Sequence, residues 1–391
     1  MRAWLCELAT VQGLKTLRIN KAIPFGRELI NDSTGTAGTL VDSADHDIGD
    51  TITYTLKATL GSDITDYDTY KLVFHDTMSI GLTFGSVTSI TVDGGSDVKD
   101  KFDIKTDVAY TTDDDTAHTA IAGGTVLTVS SDNVLASDIG AHENSIILVT
   151  YTATLNDKAI IGSQGNPNKL YIEYSNNPDS TGTDKGPEDV NIVFTYDIEV
   201  DKVTGTAKDK LTGAAFALYK LYTDATIGSK TAVTSIKYDN GTKDYTIGSD
   251  KWVLVEQKTA GTNSEFTFSG VDDGTYLLVE TTTPAGYNSI EPSKFTVTAT
   301  HADGDTPSFT SITGEQITGD ELAPITLGTK TKTEGSSTVT TGLKTEIVNQ
   351  SGTVLPSTGG IGTTMFYVGG GLLALIAVVL LVTKRRVGSA E

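Results

Sequence analysis

Tyr196-Asp197-Ile198-Glu199-Val200-Asp201-Lys202-Val203 alternates apolar and polar side chains with a period of two, which places Ile198, Val200 and Lys202 on one face of an extended strand. A lysine has joined the apolar row. Gly274-Thr275-Tyr276-Leu277-Leu278-Val279-Glu280 repeats the anomaly with a carboxyl, since Tyr276, Leu278 and Glu280 share a face. Downstream, Thr345-Glu346-Ile347-Val348-Asn349 sets an amide beside Ile347. Buried polar groups cost several kcal/mol unless they satisfy one another, so Lys202, Glu280 and Asn349 are expected to meet.

Such a meeting has chemical consequences. A desolvated site favours the neutral forms of an amine and a carboxylic acid, and a neutral amine is a nucleophile. The acid can hydrogen-bond the carboxamide, polarise its carbonyl and carry a proton to the leaving group, while the fold supplies proximity. Lys202 would then be acylated by Asn349 with release of ammonia.

The surrounding chain reads as all-β. Short alternating runs rich in Thr, Val and Tyr recur between Gly, Asp and Asn punctuation, and long amphipathic helical patterns are scarce. With 391 residues there is material for two or three domains. The formal net charge of −21 argues against a phosphate-backbone partner, so no nucleic acid is expected. Cys6 is the single cysteine, so an internal disulfide is excluded and any covalent staple must be of another kind.

The second half resembles the CnaB-type domains of Gram-positive pilins and adhesins. The likeness rests on Val200-Asp201-Lys202, on Leu211-Thr212-Gly213-Ala214-Ala215-Phe216-Ala217-Leu218-Tyr219, and on Tyr276, Leu278 and Glu280 leading into Pro284-Ala285-Gly286-Tyr287. It implies a Lys202–Asn349 isopeptide bond with Glu280 as the proton-handling carboxyl. Upstream, Leu72, Phe74, Asp76 and Met78 share a face, as do Leu170, Ile172, Tyr174 and Asn176. Together with Asp47-Ile48-Gly49-Asp50-Thr51-Ile52-Thr53-Tyr54-Thr55-Leu56 and Val149-Thr150-Tyr151-Thr152-Ala153-Thr154-Leu155-Asn156, these runs resemble a CnaA-like fimbrial isopeptide-forming domain. Alternation marks Asn176 as the amide, and the resemblance implies that the acid is an aspartate, Asp76. For the lysine, the alternation of Leu17, Ile19, Lys21 and Ile23 offers Lys21, whereas the resemblance places the lysine nearer Ile30-Asn31-Asp32; with the leader out of frame the domain has no nucleophile.

The chain ends in Leu355-Pro356-Ser357-Thr358-Gly359, an apolar stretch over 361–382, and Lys384-Arg385-Arg386. About 20 apolar residues suffice to cross a hydrocarbon core of about 30 Å as a helix. The basic cluster stays cytoplasmic and stops transfer. This ending resembles the LPxTG sorting signal of Gram-positive wall proteins, which implies cleavage by a sortase between Thr358 and Gly359. The expected partners are therefore a sortase, the membrane before sorting, and peptidoglycan or neighbouring pilin subunits.

The expected organisation is two tandem immunoglobulin-like β-sandwich domains, over 30–195 and 196–350, followed by a sorting signal with a transmembrane helix over 351–391. Residues 1–29 form a leader of different character. Arginine occurs there at Arg2, Arg18 and Arg27, then nowhere until Arg385, and the leader also holds Trp4 and Cys6. Chance is the plain reading of this bias; the sharper one is a mis-assigned start or a frame-shifted fragment. Residues 1–16 lack the basic start and apolar run of a signal peptide, so the export signal is expected upstream.

The function expected is that of a secreted, wall-anchored pilus subunit, shaft or basal, held by Lys–Asn isopeptide bonds. The alternatives are a standalone adhesin for a host ligand and, with less in its favour, a wall-anchored enzyme. Tyr219-Lys220 reads as an ordinary exposed strand pair rather than a pilin lysine. Asp113-Asp114-Asp115 and His301-Ala302-Asp303-Gly304-Asp305 lack the ligand spacing of a calcium loop and read as turns. No metal, cofactor or turnover chemistry is expected.

Overall fold

A computed structural model of the protein describes residues 25–31, 40–108, 123–205 and 207–352. Lys21, the 355–359 pentapeptide, the apolar stretch, Lys384, Arg385, Arg386 and Asp113 to Asp115 lie outside the described residues. Within them every regular element is a strand or a short 3-10 turn, and no helix is long and apolar enough to cross a membrane.

The first domain packs two sheets. One has the order 40–41, 25–31, 51–59, 146–155, 82–92; the other runs 43–45, 189–194, 166–175, 72–78, 125–131, 103–108, with 183–185 against 166–175. The inward faces follow the sequence alternation. Ile52, Tyr54, Leu56 and Ala58 are buried in Thr51–Thr59, while the residues between them are half-buried or exposed. The strand Phe25–Asn31 pairs antiparallel with Thr51–Thr59 and turns Gly26, Glu28 and Ile30 inward. Residues 25–29, expected in the leader, therefore belong to this domain.

The second domain sets a sheet of order 265–271, 196–204, 337–349, 327–334 against one of order 251–258, 215–222, 274–282, 293–302, 308–317. Tyr196–Thr204 and Ser337–Asn349 are its first and last strands, and they lie side by side in parallel. Ile198, Val200, Phe216, Leu218, Phe268, Tyr276, Phe295 and Leu343 fill the space between the sheets.

Only Thr195 separates the last strand of the first domain, Asp189–Phe194, from the first strand of the second. Ile192 and Phe194 pack into the second core. Backbone bonds from His46 N to Phe194 O at 3.0 Å and from Ile48 N to Gly270 O at 2.8 Å seal the junction. Gly270, at φ +76°, is needed there, because a Cβ would fall 2.3 Å from Ile48 Cδ1. The 301–305 segment also docks at this junction: Asp303 Oδ1 accepts from Ser43 N and Oγ at 3.1 and 2.9 Å, and Gly304 N donates to Asp42 Oδ2 at 2.9 Å.

Lys220 is the centre of the junction, and this corrects its reading as an exposed strand residue. It is 3% exposed. Its ammonium donates to Asp47 Oδ2 of the first domain at 2.9 Å and to Asp272 Oδ2 of the second at 3.1 Å. Tyr222 and the backbone N–H of Asp272 complete the bonds to Asp47. Burial opposes the charge, but Asp272 and Asp47 outweigh it and hold the ammonium well above the ordinary lysine range. Period-two alternation could not foresee this, since Lys220 faces the neighbouring domain rather than its own core. Lys220→Met should cost about 3 kcal/mol, because two buried carboxylates would face each other without their cation. Thermal unfolding and protease cleavage near Thr195 would measure the loss; unchanged values would assign the junction to its apolar contacts alone.

Candidate isopeptide site

Lys202 enters the second core from the first strand, Asn349 from the last and Glu280 from Gly274–Thr282 of the opposing sheet. The parallel register sets Lys202 opposite Ile347 and Thr204 opposite Asn349. A lysine side chain spans that two-residue offset. Lys202 Nζ lies 2.5 Å from Asn349 Oδ1, 3.1 Å from Ile347 O and 3.3 Å from Glu280 Oε1. Asn349 Nδ2 donates to both Glu280 oxygens, at 3.1 and 3.0 Å, and Thr283 Oγ1 donates to Glu280 Oε2 at 3.2 Å.

The Lys202 and Glu280 side chains have no exposed surface, and Asn349 is equally buried. Burial, the dominant influence, pulls the Lys202 pKa below the ordinary lysine range, with Glu280 opposing it. The contrast with Lys220 is one of acid count. Two carboxylates keep Lys220 charged, whereas a single carboxyl that also binds an amide leaves Lys202 closer to its nucleophilic neutral form.

The first domain places its candidates differently. Asp76 is fully buried in Leu72–Met78. Asn176 is exposed just past the end of Asn166–Ser175 and donates to Thr183 O at 3.0 Å, so it is not the amide of a buried site. The inward row of that strand enters the core at its N-terminal end and leaves it at its C-terminal end. Continued backward from Leu170, the same face gives Asn168, which is fully buried. Asn168 Nδ2 donates to Glu28 Oε1 at 2.5 Å and to Tyr151 Oη at 2.7 Å. Leu170 is the register partner of Asp76, so Asn168 stands two residues away on the same face. Glu28 escapes the sequence reading because its strand overlaps the compositionally distinct 1–29 leader. Its signal was available, since Gly26, Glu28 and Ile30 form an inward row containing a carboxyl.

Burial raises the Asp76 pKa to about 7, against smaller opposing effects of Tyr151 and Asn168. It also drives Glu28 well above the usual carboxylic-acid range, with Asp76 and Asp189 adding to the shift. Both Asp76 oxygens and Glu28 Oε2 are buried without a hydrogen-bond partner.

Comparison with known proteins places these domains in context. Residues 48–178 match the family described as Gram-positive pilin backbone subunit 2, Cna-B-like domain, residues 196–313 the SpaA prealbumin-like fold domain, and residues 347–387 the LPXTG cell wall anchor motif. The trypsin-resistant surface T6 protein of Streptococcus pyogenes serotype M6 is 28% identical over 87% of this chain, which spans 65% of that relative. Among solved structures, the T6 backbone pilin of the same serotype is similar with a TM-score of 0.47 at 19% identity, covering 85% of this chain and 71% of that one. The group B streptococcus pilus 2b backbone protein gives 0.45 at 20%, covering 84% and 99%. Along the chain the matches therefore fall in the order Gram-positive pilin backbone domain, prealbumin-like SpaA domain, LPXTG wall-anchor motif.

Proposed function

We propose that this chain is a sortase-anchored backbone subunit of a pilus, and that its second domain is closed by an autocatalytic Lys202–Asn349 isopeptide bond. The observation that carries the reading is the dry cluster of Lys202, Glu280 and Asn349 on the first and last strands, immediately before the anchor motif. In the reaction, Lys202 Nζ attacks Asn349 Cγ while Glu280 takes a proton from the amine. Glu280 returns it to Nδ2, the Cγ–Nδ2 bond breaks, and ammonia leaves. One N–C bond replaces another, so neither oxidant nor cofactor is required. The reaction occurs once per chain and is not turnover.

The mechanical benefit follows from topology. Tension between the two ends of the domain enters at Tyr196 and leaves at Asn349. The bond would carry that load from Lys202 directly to Asn349, relieving the 203–348 segment of force. An anchor at Thr358 would place this path next to the wall.

In a sortase-bearing host, the protein is expected to leave the cell only after muralytic digestion, with Thr358 as its C-terminus. Immunoblots of wall extracts should show a ladder of polymers. A single band would support a standalone adhesin instead. Release by detergent alone, with Lys384 to Arg386 still attached, would overturn sortase anchoring.

A further inference from the structure

The first-domain cluster repeats the plan of the second with one side chain exchanged. In each domain a buried amide stands beside a buried acid, and the first described strand of the domain presents a third ionisable side chain to that amide. The chain separation is also similar, 140 residues from Glu28 to Asn168 and 147 from Lys202 to Asn349. In the second domain the third group is an amine. In the first it is the carboxyl of Glu28, which approaches Asn168 Nδ2 rather than its carbonyl oxygen.

We propose that Glu28, Asp76 and Asn168 form a second isopeptide-type centre in which a carboxyl occupies the nucleophile position, so that residue 28 alone decides whether the first domain becomes cross-linked. The inference rests on the chemistry assigned to Lys202. Several features support it. Asp76 is a fully buried carboxyl with no cation beside it, an arrangement that structural packing alone gives no reason to keep. Asp76 lies against Asn168 and Tyr151, as a proton-handling acid must lie against the amide it serves. Tyr151, stacked on Tyr54 with ring centroids 5.0 Å apart, donates to Glu28 Oε1 at 3.4 Å and accepts from Asn168, so the amide is oriented from both sides. A lysine is one bond longer than a glutamate, and the Asn168 carbonyl carbon lies one bond beyond the Nδ2 that Glu28 touches. An amine at residue 28 can therefore reach it.

With Glu28→Lys, Nζ would attack Asn168 Cγ, Asp76 would pass the amine proton to Nδ2, and ammonia would leave. The test is intact-mass measurement with peptide mapping on the full chain, as wild type, as E28K and as the double variant with Asp76→Ala. Wild type should retain Asn168 as a free amide. E28K should lose one further ammonia, mapped to residues 28 and 168, and the double variant should not lose it. Because Asn168 and Asn349 are mapped separately, an unmodified Asn349 would fault the second-domain chemistry without touching the readout at Asn168. Two outcomes overturn the inference: a folded E28K with Asn168 intact, and a wild type in which another lysine is already bonded to Asn168. The second is measurable even if E28K fails to fold.

Discussion

Glu280→Ala should lower the melting temperature of the second domain by on the order of 15 °C. Chain-entropy arguments developed for disulfides assign about 5 kcal/mol to closing a loop of this length, and the Lys202 and Asn349 side chains are 147 residues apart. For a domain of this size each kcal/mol corresponds to roughly 3 °C. The substitution acts through chemistry, because without the carboxyl the amine proton has no acceptor and the amide nitrogen no acid. It also leaves Lys202 buried beside an amide with no counter-charge, which adds to the loss. Glu280→Gln preserves volume and some hydrogen bonding yet cannot relay a proton, so it should fall nearly as far. A Gln variant that melts with the wild type would show that Glu280 serves packing and that the domain owes nothing to a covalent bond.

Stability of the first domain should fall as pH rises from about 4 to 7, by on the order of 4 kcal/mol. The sign follows from linkage. Asp76 has its folded pKa raised to about 7 from 3.8, so the folded state holds a proton that the unfolded chain has already released. The stabilisation is complete below the unfolded value and is lost as pH rises to and through the folded one, at about 1.4 kcal/mol per unit between them. Glu28, raised further by burial and by Asp76 and Asp189, extends the loss to higher pH. The groups facing the pair are Tyr54 and Tyr151, whose own pKa values burial raises, with Asp189 bonded to the Glu28 N–H and the Arg27–Asp42 pair at the rim. None of these offsets the trend within that window. Asp76→Asn should make the profile shallower, with Glu28 supplying what slope remains, matching the wild type near pH 4 and exceeding it near pH 7 by on the order of 10 °C in melting temperature. Parallel profiles for the two chains would show that Asp76 is ionised in the fold.

How much of this was legible in the sequence depends on what each residue faces. Lys202, Glu280 and Asn349 stood out because each interrupts an apolar row within a single strand, and period-two alternation needs no tertiary knowledge. The all-β class and the tandem arrangement follow from the same local pattern. Asn168 was harder, since Leu170, Ile172 and Tyr174 lie between two inward-phase asparagines and alternation cannot say at which end the strand leaves the core. Only the pairing of Leu170 with Asp76 decides it. Lys220 and the docking of the 301–305 turn escape the sequence for another reason. Their partners, Asp47, Ser43 and Asp42, belong to the other domain, and no single-strand period encodes a contact across a junction. Glu28 lay in a segment whose composition drew attention away from its alternation.

The central claim is that the second domain closes itself covalently, and mass spectrometry of the folded full chain tests it most directly. The account predicts an intact mass below the sequence value by one ammonia and a branched proteolytic peptide joining Lys202 to Asn349, with both features absent from Glu280→Ala. A folded wild-type chain at its full unmodified mass, with Lys202 and Asn349 recovered in separate peptides, would contradict it.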